Sequence, residues 1–319
     1  MNGVVEFALA ALVYPGAVVA LVAAWALAWA REAAHDLARG RPAPGLFGQL
    51  AAVRGMFARD TLTPAGMNPF ALSLGVTLVV AAPLAALVAL PLPGNPLTQT
   101  VGLRGDLIAE AGLLLGVPLG RLLLGWATPS PYTRLAADRT ARLLAGAVAP
   151  LILGLTAMAQ IRGTLTLWDA KASVGQAPFS TLALVLAGIA FLVALPALAA
   201  GSPLRLGVGS SETLAGEATE LSGSDLALLL IGEALQLVAC AALFALVFVA
   251  PLVATMQPVI GGIIEVLVVI VLAAGLGFYE GRRGRPAVQE DRPPLSWWAG
   301  LPMLAALVAL VLAAWATRG

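Results

Sequence analysis

Residues 226–250 read LALLLIGEALQLVACAALFALVFVA, and Glu233 is the one charged residue among them. A helix of twenty-five residues is about 37 Å long, more than the ~30 Å hydrocarbon core of a bilayer. The stretch lacks the alternation of apolar and polar positions that marks a strand of a membrane barrel. A soluble core has little use for so long an apolar run. The reading that fits is a helix that crosses a membrane.

The rest of the chain agrees. Of 319 residues, 60% are hydrophobic and 11% are charged. Soluble domains carry about 25% charged residues, so this chain has too few polar side chains to coat a surface that faces water. Mean hydropathy is +0.93. The net charge of +1 gives no footing for nucleic acid. Cys240 is the only cysteine, which excludes an internal disulfide and a cysteine-held cluster. His35 is the only histidine, so no metal site rich in His belongs to this chain. Any electron carriers reside in another subunit or in a diffusible molecule.

Eight stretches are long and apolar enough to span, near 7–30, 69–91, 106–126, 143–161, 179–200, 226–250, 257–279 and 297–316. The first has no basic leader and ends at Arg31, so it reads as a retained helix rather than a signal peptide. The expectation is an all-α integral membrane protein, one transmembrane domain over 1–319, with an amphipathic helix on the cytoplasmic side. Arg and Lys set its orientation. Arg31, Arg39, Arg41, Arg54, Arg59, Arg134, Arg139, Arg142, Arg205, Arg282, Arg283, Arg285 and Arg292 fall on one side; Arg104, Arg162, Lys171 and Arg318 fall on the other. The positive-inside rule puts the first group in the cytoplasm and both termini outside. A plasma (inner) membrane location follows.

Two cytoplasmic loops exceed what a connector requires. In 31–68, Leu46, Phe47, Leu50, Val53, Met56 and Phe57 share one helical face, which suits an amphipathic helix at the membrane interface or under a partner, or a loop helix packed on the bundle itself. In 201–225, Glu212, Glu217, Glu220 and Asp225 stand against Arg205 alone. Such a loop suits a docking or proton-feeding surface, or a merely solvated one. Together the two loops form the expected docking face.

Ionisable residues inside spans cost about 2.5–3.5 kcal/mol each on insertion scales and mark functional sites. Glu110 and Arg121 share one face of the third span, about 16 Å apart along the axis, so each needs a partner of its own. Glu233 heads a polar stripe with Gln236 and Cys240 at i+3 and i+7. Glu265 follows Gly261 and Gly262 in the seventh span. Carboxyls buried in separate helices of one bundle make a proton relay; the plainer reading is that each holds two helices together by hydrogen bonding. Arg121 belongs to the same set. No phosphate-binding Gly loop and no nucleophile with its base is present, so no catalytic residue and no metal ligand is assigned.

Three blocks of sequence carry a resemblance. The first is GRPAPGLFGQLAAVRGMFARD at 40–60, running on into TLTPAGMNPF. The second is GWATPSPY at 125–132, followed by Arg134 and Arg139. The third is ETLAGEATELSG at 212–223, with Glu233 one helical run later. In this order they resemble the membrane subunit that anchors the peripheral arm of respiratory complex I (subunit 1 of NADH:quinone oxidoreductase), and its counterpart in membrane-bound [NiFe] hydrogenases and formate hydrogenlyase. The resemblance implies the floor of a quinone chamber beneath an iron–sulfur arm, with an acidic path leading to antiporter-like membrane subunits. It implies docking or chamber roles for Arg41, Arg139, Glu212 and Glu220 and a place on the acidic path for Glu233. The amphipathic segment that carries Arg54 would line or cover the entry, and Glu110, Arg121 and Glu265 join the expected proton path as ionisable groups inside spans. Quinone is then the only cofactor within reach, not covalently bound, and iron–sulfur clusters sit in partner subunits. The chain alone is not catalytic.

The chain also departs from that pattern. The family's acid-bearing Pro-Phe-Asp-Leu-Pro loop is PLRLG at 203–207. Val148 stands near the place of a helix-four Glu, and Ala58-Arg59 replaces a Lys-Glu pair, leaving Asp60. The tail at 279–298 and Pro15-Gly16 look nearer the hydrogenase branch, an anchor without quinone chemistry. A stand-alone ion-coupled transporter is the remaining alternative, although no internal repeat supports it.

Overall fold

The computed structural model describes residues 16–92, 106–167, 179–199, 220–283 and 300–317, with a few isolated positions besides. Among these residues the elements are helical. They are α1 (Ala17–Ala38), α2 (Gly48–Phe57), α3 (Pro69–Ala89), α4 (Leu107–Leu114), α5 (Gly116–Ala127), α6 (Pro131–Arg162), α7 (Ser180–Ala199), α8 (Gly223–Phe244), α9 (Ala250–Val253), α10 (Pro258–Arg283) and α11 (Leu301–Ala316). Seven helical runs are long and apolar enough to cross a membrane, and α11 is a shorter apolar helix of 16 residues. Each of the eight expected spans overlaps one or more of these helices.

Helix starts follow local chemistry. Asn68 caps α3: its side-chain oxygen accepts from the amides of Phe70 (3.1 Å) and Ala71 (3.3 Å), and Pro69 follows at the first helical position. Asp106 caps α4 in the same way. α6 begins at Pro131 and stops at Gly163, whose φ of +66° is left-handed. α8 does not stop at Phe244. A single π turn, Ala245–Val249, carries it on into α9 and places Phe244 and Phe248 around Phe191, with ring centroids 5.3–5.8 Å apart.

α8 is the inner helix of the bundle, and most of its side chains are buried. α3, α1 and α7 pack against it; α5 lies along α3, α6 along α7, and α11 along α6 and α7. α10 lies along α1 at very close range. A Cβ added at Gly277 would stand 1.9 Å from the carbonyl oxygen of Arg31, and one at Gly281 would stand 2.6 Å from that of His35. Small residues permit this approach, and apolar contact inside a membrane rewards it. Arg31 then donates to Glu280 (3.0 Å) and to the carbonyl of Ala199 (3.2 Å), tying α1, α10 and the end of α7 together.

Two boundaries differ from the sequence reading. α1 begins at Ala17, with Gly16 as its N-cap, and continues to Ala38 rather than ending near residue 30. Its last two turns hold Arg31, Glu32, His35 and Asp36, which partner Glu280, Gln49 and one another. Hydropathy stops where charge begins, but a helix goes on where charges find partners. α6 likewise starts twelve residues before the apolar stretch that begins at 143, over a charged segment with Arg134, Asp138 and Arg142.

Candidate functional site

The three sequence blocks meet at one end of the bundle. Residues 61–62 and 222–224 are stitched together by hydroxyls. The Leu62 amide donates to Ser222 Oγ at 2.7 Å, and that hydroxyl donates to the Leu62 carbonyl at 3.2 Å. Thr61 Oγ1 and Ser224 Oγ lie 2.9 Å apart. Gly223 makes the close pass possible. Its φ is +56°, and a Cβ there would meet Thr61 Oγ1 at 2.8 Å and the Arg59 carbonyl at 2.9 Å. The second block joins through the Asn68 amide, which donates to the Ala127 carbonyl at 2.8 Å. The first block is also pinned to α1. Trp25 and Trp29 donate from their indoles to the carbonyls of Leu46 and Pro44, both at 3.0 Å, and Gln49 bonds Glu32.

α2 crosses this end with its apolar face largely uncovered. Met56 is buried, while Phe47 at 66%, Leu50 at 45% and Phe57 at 48% remain exposed. This exposure differs from the reading of a helix packed under its own bundle and leaves the face open to the membrane interface or to a partner.

Below this end a polar line enters the bundle. Counted along α5 and α8 from the stitched end, Arg121 lies about 9 Å down and Glu233 about 15 Å. Arg121 Nε stands 3.7 Å from Glu233 Oε1, and both side chains are largely shielded. A cavity with room for about one water lies beside them, lined by Arg121, Thr140, Glu233 and Gln236 together with Val117, Pro118 and Ala197–Ala199. Gln236 donates through Nε2 to the Leu114 carbonyl at 2.6 Å and approaches Cys240 Sγ at 3.6 Å. Glu110, one turn before Leu114 on α4, is 1% exposed.

The structure thus brings together five of the residues singled out in the spans. Arg121 finds its partner in Glu233 across two helices, and Gln236, Cys240 and Glu110 continue the line inward. Glu265 does not join it: it sits half-buried on α10, outside the cavity, and makes no hydrogen bond or ion pair among the described residues. Arg41 and Arg54 are exposed, and Glu220 is half-buried two residues before Ser222. Arg139 lies on α6. Glu212 falls outside the described residues. Sequence reading missed Pro118 and Thr140 as cavity neighbours, and the Ser222–Leu62 stitch. Pro118 had a signal, since a proline inside a span always frees a carbonyl one turn earlier. Hydroxyl contacts between positions 160 apart had none.

Comparison with known proteins decides the family. Residues 10–283 match the family model described as NADH dehydrogenase. The chain belongs to the NADH dehydrogenase family. This is the family of complex I subunit 1, so the protein is a multi-pass membrane subunit of a complex-I-like redox complex. Its fold is similar to that of a chain in the membrane-bound sulfane sulfur reductase, an archaeal respiratory membrane complex. The TM-score is 0.72 at 20% identity, over 93% of this chain and 97% of that one. No curated protein matches it.

Proposed function

We propose that this NADH dehydrogenase family subunit anchors an iron–sulfur peripheral arm on its cytoplasmic end and couples the redox step there to proton translocation. The observation that carries the reading is the convergence of the three loop blocks directly above the Arg121–Glu233 pair. The blocks supply a surface of hydroxyls, exposed Arg41 and Arg54, and the apolar edge of α2. The polar line below supplies groups that hold protons or charge at successive depths. Antiporter-like subunits would receive those protons from the side of the bundle.

Among the described residues, those that fit a quinone lie at the surface. Exposed guanidinium donors suit quinone carbonyls, and Phe47, Leu50 and Phe57 suit an isoprenoid tail. The internal cavity holds about one water and does not fit a headgroup. When bound, a quinone would accept the electron pair delivered by the arm. This chain would position it and keep its tail out of water.

A second reading has support of its own: a hydrogenase-type anchor without quinone chemistry. The PLRLG segment lacks the family's acids, Val148 packs against the apolar core, and the structural likeness is to a sulfane sulfur reductase. A photoreactive ubiquinone analogue applied to the native complex separates the two. Crosslinks within residues 40–57 support the quinone site; a complex that turns over but yields no crosslink supports the second reading. Coupling is tested by Glu233→Gln in liposomes, where proton translocation is expected to fall at least tenfold. Unaltered translocation would reject coupling through this line.

A further inference from the structure

Pro118 has no amide hydrogen, so the carbonyl four residues earlier, that of Leu114, has no helical donor. The helix breaks at Leu115, between α4 and α5. In a membrane a freed carbonyl must find another donor. It finds Gln236, whose Nε2 donates at 2.6 Å from α8. This clip fixes the direction of the whole amide. With Nε2 committed to Leu114, Oε1 of Gln236 is left buried and unpartnered.

One turn before Leu114 lies Glu110. Both of its carboxyl oxygens are buried without a hydrogen-bond partner. The third span runs antiparallel to α8, so Glu110 is level with Cys240 when Leu114 is level with Gln236, and Cys240 Sγ itself lies 3.6 Å from Gln236 Nε2. Three orphaned oxygens, two on Glu110 and one on Gln236, therefore lie on neighbouring turns of two helices in contact. Three acceptors cannot satisfy each other, but one proton resolves the conflict. An ionised, unpartnered carboxylate there would cost several kcal/mol. A carboxylic acid instead offers an O–H donor to the amide oxygen.

We propose that Gln236 is the positioning residue of Glu110. It is oriented by the carbonyl that Pro118 frees, and its Oε1 accepts a hydrogen bond from protonated Glu110, directly or through one water. Gln236 also lines the cavity shared with Glu233 and Arg121. It therefore joins the deepest acid of the line to the charged pair above. This assignment extends the proton-coupling reading and names the joint between its two halves.

The test is hydrogen/deuterium difference infrared spectroscopy on the native complex in nanodiscs. The carbonyl stretch of a protonated carboxyl is expected in the wild type and is lost in Glu110→Gln. Gln236→Leu, or Gln236→Met should the first fail to assemble, is expected to move that band to higher frequency, because its acceptor is gone. Glu233→Gln should leave the band in place. A band unmoved by loss of Gln236, or no band lost in Glu110→Gln, would overturn the assignment. The band shift does not depend on turnover. If Glu233→Gln left translocation intact while Gln236→Met still moved the band, the coupling reading would fall and the Gln236 assignment would stand.

Discussion

Arg121 and Glu233 stand 3.7 Å apart with both side chains largely out of solvent, so neither charge is removable alone without consequence. Breaking a buried pair by deleting one member typically costs about 3–5 kcal/mol, whereas replacing both costs far less. Arg121→Met and Glu233→Gln should each lower the thermal midpoint of the chain in nanodiscs. The double variant should lose less than the sum of the two, with a coupling of about 0.5–3 kcal/mol in a double-mutant cycle. Additive losses would mean that the two side chains do not act on each other. At this scale the sequence was informative in part. Glu233, Gln236 and Cys240 stand at helical spacing, so their common face is arithmetic. That Arg121 turns to Glu233 depends on how α5 meets α8, which no local pattern encodes.

α10 and α1 approach so closely that Gly277 leaves no space for a side chain. Gly277→Leu would drive a side chain into the Arg31 carbonyl, part the helices and strip Glu280 from Arg31. A loss of about 3 kcal/mol or more is expected, the upper end for overpacking. Gly275→Leu on the same helix meets nothing within 4 Å and should cost little, within about 0.5 kcal/mol. Chemical denaturation of the two variants in one detergent compares them, and equal losses would contradict the packing. Hydropathy placed the centres of the spans correctly, because lipid demands apolar length. It misplaced the end of α1 because Arg31, Glu32, His35 and Asp36 are paired rather than solvated, and pairing lies outside a hydropathy window.

For the whole molecule the stitched loops make a firm demand: residues of the first and third blocks share one face of the membrane. Cys240 is fully buried, so an introduced cysteine is the site an impermeant thiol reagent would reach. Arg54→Cys and Glu220→Cys should both label in inside-out vesicles, while Thr317→Cys should label only in right-side-out vesicles. The sequence placed both loops inside from their arginines, yet the loops' mutual contact rests on Ser222, Thr61 and Gly223, residues too common to signal a meeting. The role of that face is tested most directly by what it holds. The chain, tagged at its C-terminus, is purified from native membranes in mild detergent and its preparation examined by electron paramagnetic resonance after reduction. Reduced iron–sulfur signals are expected in the wild-type preparation, and their loss in Gly223→Val, which unpicks the stitch while the helices persist. A chain that emerges by itself, free of iron and indifferent to Gly223→Val, would contradict the anchoring role.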